Sequence, residues 1–162
     1  MKRLKGIAVL AAVLSMVGAS SSAIAAPGAL WTTTASGVSV NANIYANKGD
    51  VYLNGGPQHG NGQGLPDGLY YVQVTAPDGT LLGSSVGSAR PTPIHVVNGV
   101  MVSLYQLSAI VVKASNGAPG YDNTPNHGKE YKVWVSQDSA FPNSKSKTDN
   151  FKAPDDPIVI PG

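Results

Sequence analysis

The 162-residue sequence contains no cysteine. A chain of this size buries roughly two thirds of the surface that its unfolded form exposes, so it needs no disulfide bond or metal to hold a core. Charge is also scarce, because only 12% of the residues are charged. Beyond residue 25 there are eight basic and nine acidic side chains, so the net charge of that part is about −1. A nucleic-acid-binding protein needs clustered Lys and Arg to neutralise phosphates. The composition therefore predicts no nucleic-acid partner.

The N-terminal segment 1–25 has the three zones of a secretory signal peptide. Three basic residues precede an apolar run over 7–19, and small residues follow. The run is too short for a membrane span, since it reaches ~20 Å of a ~30 Å hydrocarbon core. Cleavage after Ala25 is favoured over cleavage after Ala26, because the second cut would place Pro27 beside the scissile bond. We expect a secreted or periplasmic protein, residues 26–162, with no stable membrane insertion.

Beyond the leader, glycine and proline are frequent, and no ten-residue stretch has the apolar spacing of a helix. Short alternating segments predict an all-β chain. About eight strands with regular turns indicate one two-sheet antiparallel β-sandwich, either Ig-like or prealbumin-like. We expect its ends, 26–36 and 154–162, to be largely irregular. The predicted strands are 38–45, 50–53, 69–75, 80–82, 94–97, 100–104, 108–113 and 130–136, with short closing strands near Phe151 and at 158–160.

Turn residues separate these segments. Asn98-Gly99 between two apolar runs is the strongest hairpin signal in the chain, since both residues tolerate the positive φ of a type I′ turn. The glycine-rich stretch 55–64 and the stretch 116–128 hold too few apolar atoms to pack alone. We expect both to be surface loops.

Several segments carry a family resemblance: VYLNGGP (51–57), LPDGLYYVQVTAPDG (65–79), YDNTPN (121–126), EYKVWV (130–135) and SKTDNFK (146–152). They resemble exported bacterial modules of the prealbumin-like, collagen-adhesin B-type sandwich group. The resemblance implies about seven strands, a place on the cell surface or in the medium, and a role as a stalk or binding module and not as an enzyme.

The same resemblance raises the question of an isopeptide bond, because such modules often use a buried acid to join a lysine to an asparagine. Glu130 is the only glutamate, and Lys113 and Asn150 would be its partners. That chemistry needs all three groups together in a dry core, where the pKa of the acid rises. Since Glu130 opens a strand just after Lys129, we expect a solvated carboxylate.

Motifs for catalysis are weak. Ser85 lies in a G-x-S-x-G match, but a nucleophile elbow needs a following helix, and Pro91 stands soon after. His59, His95 and His127 are too far apart in sequence to form a local metal clip. We therefore predict no catalytic residue and no enzyme activity.

Calcium is the one cation with candidate ligands, Asp122-Asn123 and Asp155-Asp156. Calcium needs six or more oxygen ligands, and the chain has no complete calcium-binding loop. We expect no bound cofactor.

Exposed aromatic side chains are the remaining candidate site. Trp134 points away from the predicted core face of its strand, and Tyr71 points away from that of its own. Such rings stack on sugars or anchor protein partners, provided that no other part of the chain covers them. Tyr121 and Asp122 of the second long loop are further candidates. We expect a structural, interaction or adhesion module at the bacterial surface or matrix, with a cell-envelope protein or glycan as partner. The alternative is an extracellular carbohydrate-binding or hydrolytic accessory domain.

Overall fold

The computed structural model describes residues 26–60 and 62–162, so the predicted signal peptide lies outside it. Within those ranges no helix has the length and apolar character to cross a membrane. The elements are β1 (Ala29–Thr33), β2 (Tyr52–Gly56), β3 (Gly68–Thr75), β4 (Leu81–Ser84), β5 (Ile94–Val97), β6 (Val100–Met101), β7 (Tyr105–Gln106), α1 (Leu107–Ile110), β8 (Val112–Lys113), β9 (Glu130–Ser136) and β10 (Ser146–Lys152).

The strands form two antiparallel sheets, which confirms the predicted all-β sandwich class. The small sheet has the order β1-β2-β7, and the large one the order β10-β9-β3-β4-β8, with the β5–β6 hairpin attached to β3. Strand β3 is the centre of the large sheet. Its first residues, Gly68 to Tyr70, pair with β5, and its later residues pair with β9 and β4.

Period-two alternation places the core between the sheets. On β3 the buried apolar side chains are Tyr70, Val72 and Val74, and on β9 they are Tyr131, Val133 and Val135, while the polar Thr75 and Ser136 are also buried. The small sheet contributes Leu30 from β1 and Leu53 from β2 to the same cluster. The intervening residues of β3 and β9 must therefore point to the other side of the large sheet.

Four aromatic rings pack at one end of the core. Phe151 stacks on Tyr131 with ring centroids 5.2 Å apart, and it meets Tyr45 and Tyr121 edge-on at 6.1 Å. Lys48 is buried beside them, with its ammonium 4.9 Å from the centroid of the Tyr121 ring. Burial is the main cause that raises the pKa of all three tyrosines in this cluster.

Tyr70 of β3 is a fourth buried tyrosine with a raised pKa. Burial, with a smaller effect from the nearby Asp67 carboxylate, raises the pKa of Tyr70 to about 12.

The prediction of a strand over 38–45 is wrong. Asn41 and Asn43 have φ of 53° and 62°, which no β-strand tolerates, and Val38 and Val40 are exposed. Only Ile44 forms an isolated bridge, with Lys152. Asparagine accepts the left-handed region more readily than other non-glycine residues, so the backbone coils despite the apolar alternation.

Three further boundaries differ from the prediction. The segment 108–113 is not one strand: helix α1 takes its first part, and β8 keeps only two residues. Strand β6 ends at Met101 instead of continuing to residue 104. The stretch 26–36 contains a strand, β1, which pairs with β2 along its whole length.

The glycine-rich stretch also begins inside a strand, since β2 runs to Gly56. A Cβ on Gly55 would lie 2.9 Å from the carbonyl oxygen of Ala29 and 2.8 Å from a Leu65 methyl. Glycine is needed there for close packing, not for flexibility. The Asn98-Gly99 hairpin is confirmed, with φ of 53° and 82° at its two turn residues.

Candidate ligand-binding face

The side of the large sheet that points away from the core carries both predicted aromatic candidates. Register places Gln73 opposite Trp134, and Thr148 opposite Trp134 on its other side. Tyr71 lies opposite Ser136, one diagonal step from Trp134. We call this surface the outer face and define it by the outward residues of three adjacent strands: Tyr71, Gln73, Thr75, Lys132, Trp134, Ser136, Ser146, Thr148 and Asn150.

Trp134 is half-buried, and two side chains of the outer face contact it. Its indole Nε1 donates a hydrogen bond to Thr75 Oγ1 at 3.1 Å, and the Lys132 ammonium lies 4.2 Å from the ring centroid. Thr75 and Lys132 are register partners, so one cross-strand pair orients the indole. The polar edge of the ring is therefore satisfied within the sheet.

At one end, the outer face adjoins a cleft of about 670 Å³. Half-buried Tyr71 lines it, together with Gln137, Ser144 and Lys145 from the segment after β9. The Ser136 hydroxyl donates to the Lys145 carbonyl at 2.9 Å and holds that segment against the strand end. The cleft brings the rings of Tyr70 and Tyr71 together with amide and hydroxyl groups and with the ion pair of Asp138 and Lys145, whose charged atoms are 3.6 Å apart.

At the other end lies a second cleft of about 530 Å³, lined by Lys132, Asn150 and the pair Glu130–Lys152. The Glu130 carboxylate and the Lys152 ammonium are 3.5 Å apart. Six residue steps of β9 separate Ser136 from Glu130, which is about 20 Å of extended strand. Trp134 lies between the two clefts, so the outer face and its clefts form one elongated surface.

Tyr121 and Asp122 do not join this surface. Tyr121 is 1% exposed, with its ring in the aromatic cluster, and so it has no free face for a ligand. The Asp122 carboxylate accepts a hydrogen bond from the Ser115 backbone amide at 2.8 Å, which closes the loop after β8. Both residues therefore act in packing and loop closure.

Ser85 lies in the interior of the fold. It is fully buried, its hydroxyl donates to the Pro91 carbonyl at 2.7 Å, and it accepts from the Val72 amide at 2.9 Å. These two bonds tie the segment after β4 to β3.

Among residues 26–60 and 62–162, no group of three or more His, Cys, Asp or Glu side chains is arranged to hold a metal ion. Two of the candidate calcium ligands instead form ion pairs. The Asp155 carboxylate lies 2.7 Å from the Lys129 ammonium, and Asp156 lies 2.9 Å from that of Lys48.

The residues considered for an isopeptide bond are also placed apart. Glu130 pairs with Lys152, the Lys113 ammonium lies 3.7 Å from Asp156, and Asn150 is exposed on the outer face. The acid, the amine and the amide therefore do not converge in a dry pocket.

Sequence reasoning missed Gln73, Thr75 and Thr148 as neighbours of Trp134. Their outward direction follows from the period of each strand, but their adjacency depends on β9 lying between β3 and β10. No local pattern in the sequence predicts that strand order.

No family model matches the chain, and no curated protein or solved structure matches it either.

Proposed function

We propose that this chain is an exported, non-catalytic interaction module of the bacterial surface or matrix, and that it binds a glycan chain through the outer face. One observation carries the proposal: Trp134 and Tyr71 occupy diagonal positions on the same solvent-facing side of a sheet, next to hydrogen-bonding side chains. Aromatic rings offer a flat apolar surface with no conformational cost, which suits the apolar face of a sugar ring.

The neighbours of Trp134 suit the sugar's hydroxyl groups. The Gln73 amide can both donate and accept, and the Thr148 hydroxyl can do the same. Lys132 covers part of the indole, but an exposed cation–π contact is worth only about 0.5–1 kcal/mol, so a sugar can displace the ammonium at small cost. The displaced ammonium then lies beside the ligand, where it favours acidic sugars over neutral ones.

Length supports a chain-like ligand. The outer face and the second cleft together run about 20 Å along β9, from Ser136 to Glu130, and the first cleft adjoins the other end. A compact small molecule would need a single enclosed cavity, whereas an extended polymer can contact the whole strip.

Titrations with neutral and acidic polysaccharides test the proposal. Trp31 is the only other tryptophan, so Trp31→Phe leaves Trp134 as the sole indole fluorophore. We expect saturable changes in Trp134 emission with at least one polysaccharide. In the otherwise wild-type chain, Trp134→Ala should lower the affinity at least tenfold, as measured by calorimetry, without changing the circular dichroism spectrum.

Gln73→Ala should weaken binding by a smaller factor, and Lys132→Ala should weaken only the binding of acidic polysaccharides. Glycan binding that survives in the double variant Tyr71→Ala/Trp134→Ala would refute the assignment of the outer face. Capture of an envelope protein through Trp134, with no polysaccharide bound, would instead support adhesion to a protein.

Export is tested separately. The chain recovered from the periplasm or medium should begin at Ala26, and an unprocessed Met1 on exported protein would contradict the predicted cleavage.

A further inference from the structure

The segment Ile158–Ile160 exposes three apolar, β-branched side chains in succession. Their exposed fractions are 89%, 86% and 82%, and the segment forms no secondary structure. Pro157 precedes the segment and Pro161 follows it, so three consecutive residues keep their amide donors. Their composition is that of a strand without a partner. We call these residues the tail segment.

The β5–β6 hairpin exposes a second apolar surface. Leu69, Val97, Val100 and Val102 are between 39% and 54% exposed, whereas their neighbours Ile94, Val96 and Met101 point into the core. Register places Leu69 beside His95, and Val97 beside Val100, on the same outward side. We call these four residues the hairpin patch. Strand β6 pairs with β5, and its other edge lies beside the end of β2, where a Cβ on Gly56 would be 3.1 Å from a Val100 methyl group and the Leu65 amide donates to the Gly99 carbonyl at 2.9 Å.

The tail segment cannot reach the hairpin patch of its own chain, because the residues just before it are fastened elsewhere. Lys48 holds the Asp156 carboxylate at 2.9 Å, and the Asn123 side chain accepts from the Asp156 amide at 3.0 Å. The Lys113 ammonium lies 3.7 Å from the same carboxylate, and Lys113 in β8 pairs with Gly83 in β4.

Gly83 pairs with Val74, near the end of β3, whereas the hairpin pairs with the beginning of β3 at Gly68. Six strand steps separate Val74 from Gly68, or about 20 Å. Ile160, four residues beyond Asp156, reaches at most about 14 Å from it. Only the hairpin of another molecule is within reach.

We propose that the tail segment of one copy packs its side chains on the hairpin patch of a second copy. The apolar side chains on both partners leave water together. Because the tail and the hairpin lie near opposite ends of β3, the contact is head-to-tail, and a pair joined by it keeps one free hairpin on the first copy and one free tail on the second.

Analytical ultracentrifugation of the full chain, expressed with its own N-terminal segment 1–25 so that any processing is the cell's own, tests this contact. We expect concentration-dependent association beyond the dimer. Val102→Asp, which disables the hairpin patch, and Ile158→Asp/Ile160→Asp, which disables the tail segment, should each weaken association roughly tenfold or more, because a charge in an apolar contact loses its hydration.

The two variants also complement each other. The Val102→Asp chain keeps a working tail, and the Ile158→Asp/Ile160→Asp chain keeps a working hairpin. At a concentration where the wild type associates and each variant alone is monomeric, their equimolar mixture should form a 1:1 dimer and nothing larger.

Matched controls are Val86→Asp, at a similarly exposed valine outside the hairpin, and Val38→Asp/Val40→Asp, at two exposed valines outside the tail. Both should associate like the wild type. A monomeric wild type at about 100 μM, or a mixture of the two disabled variants that stays monomeric, would overturn the proposal. Equal weakening by the controls would do the same, since it would show a general effect of charge.

Discussion

Replacing Phe151 with alanine should remove the residue that closes the aromatic cluster. Its ring is 2% exposed and contacts three aromatic rings, one stacked and two edge-on. Phe→Ala changes in cores cost about 3–5 kcal/mol, because transfer energy is lost and a cavity remains. A domain of this length has only about 5–15 kcal/mol of net stability. We therefore expect Phe151→Ala to remove at least about a fifth of this net stability.

Thermal unfolding followed by circular dichroism measures this loss. At roughly 3 °C per kcal/mol for a domain of this length, the Tm of Phe151→Ala should fall by about 10–15 °C. Phe151→Leu keeps most of the volume and loses mainly the aromatic geometry, so its cost should be only about 1–2 kcal/mol.

Deletion of residues 158–162 serves as the control at low protein concentration, where the chain is monomeric. These residues are exposed and make no strand, so the deletion should leave the Tm unchanged. If Phe151→Ala unfolded at the wild-type temperature, the claim that β10 closes the core would be wrong.

Three further predictions concern charge, pH and backbone packing. Asp156→Ala should destabilise the fold by about 1–3 kcal/mol, because it removes a hydrogen-bonded carboxylate from the buried Lys48 ammonium. Chemical denaturation measures this loss, and the loss should be smaller when Asp156→Ala is made in a Lys48→Met background. The four tyrosines with raised pKa values stabilise the fold fully below about pH 10 and lose that contribution as the pH rises through their folded-state pKa values. Phenolate absorbance should therefore rise together with loss of the circular dichroism signal, and full ionisation of all seven tyrosines in a chain that is still folded would contradict the burial. Gly64→Ala should lower the Tm, since its Cβ would overlap the Gly99 carbonyl group, whereas Gly60→Ala, with no neighbour within 4 Å, should not.

Period-two patterns predicted the strands that are buried on one face. Strand β9 is the clearest case, because Tyr131, Val133 and Val135 point inward, and Lys132 and Trp134 point outward, as expected. The hairpin turn was predictable for a similar reason, since Asn-Gly has a strong local preference that tertiary contacts did not oppose.

Long-range contacts decided the elements that the sequence did not predict. Strand β1 carries Thr32 and Thr33 at buried positions, which blurs its apolar alternation, and its place depends on pairing with β2. The 38–45 segment has the reverse character, because its alternation is clear but two asparagines in left-handed conformations break the extended backbone. The outer face was predictable only in part. The pattern of β9 predicted that Trp134 points outward, but no local pattern predicted which residues of the adjacent strands lie beside it.

The position of β3 at the centre of the large sheet has a consequence for how fast the chain folds. Its pairings with β4 and β5 form between residues close in sequence, but its pairing with β9 joins Tyr71 to Ser136, across much of the chain. The amide of Thr32 in β1 donates to Asp149 in β10, 117 residues away. Closing such loops costs entropy before the contacts form, so chains of this topology fold slowly. The core cannot be completed until β10 has been synthesised, and until then the apolar faces of β3 and β9 stay partly uncovered.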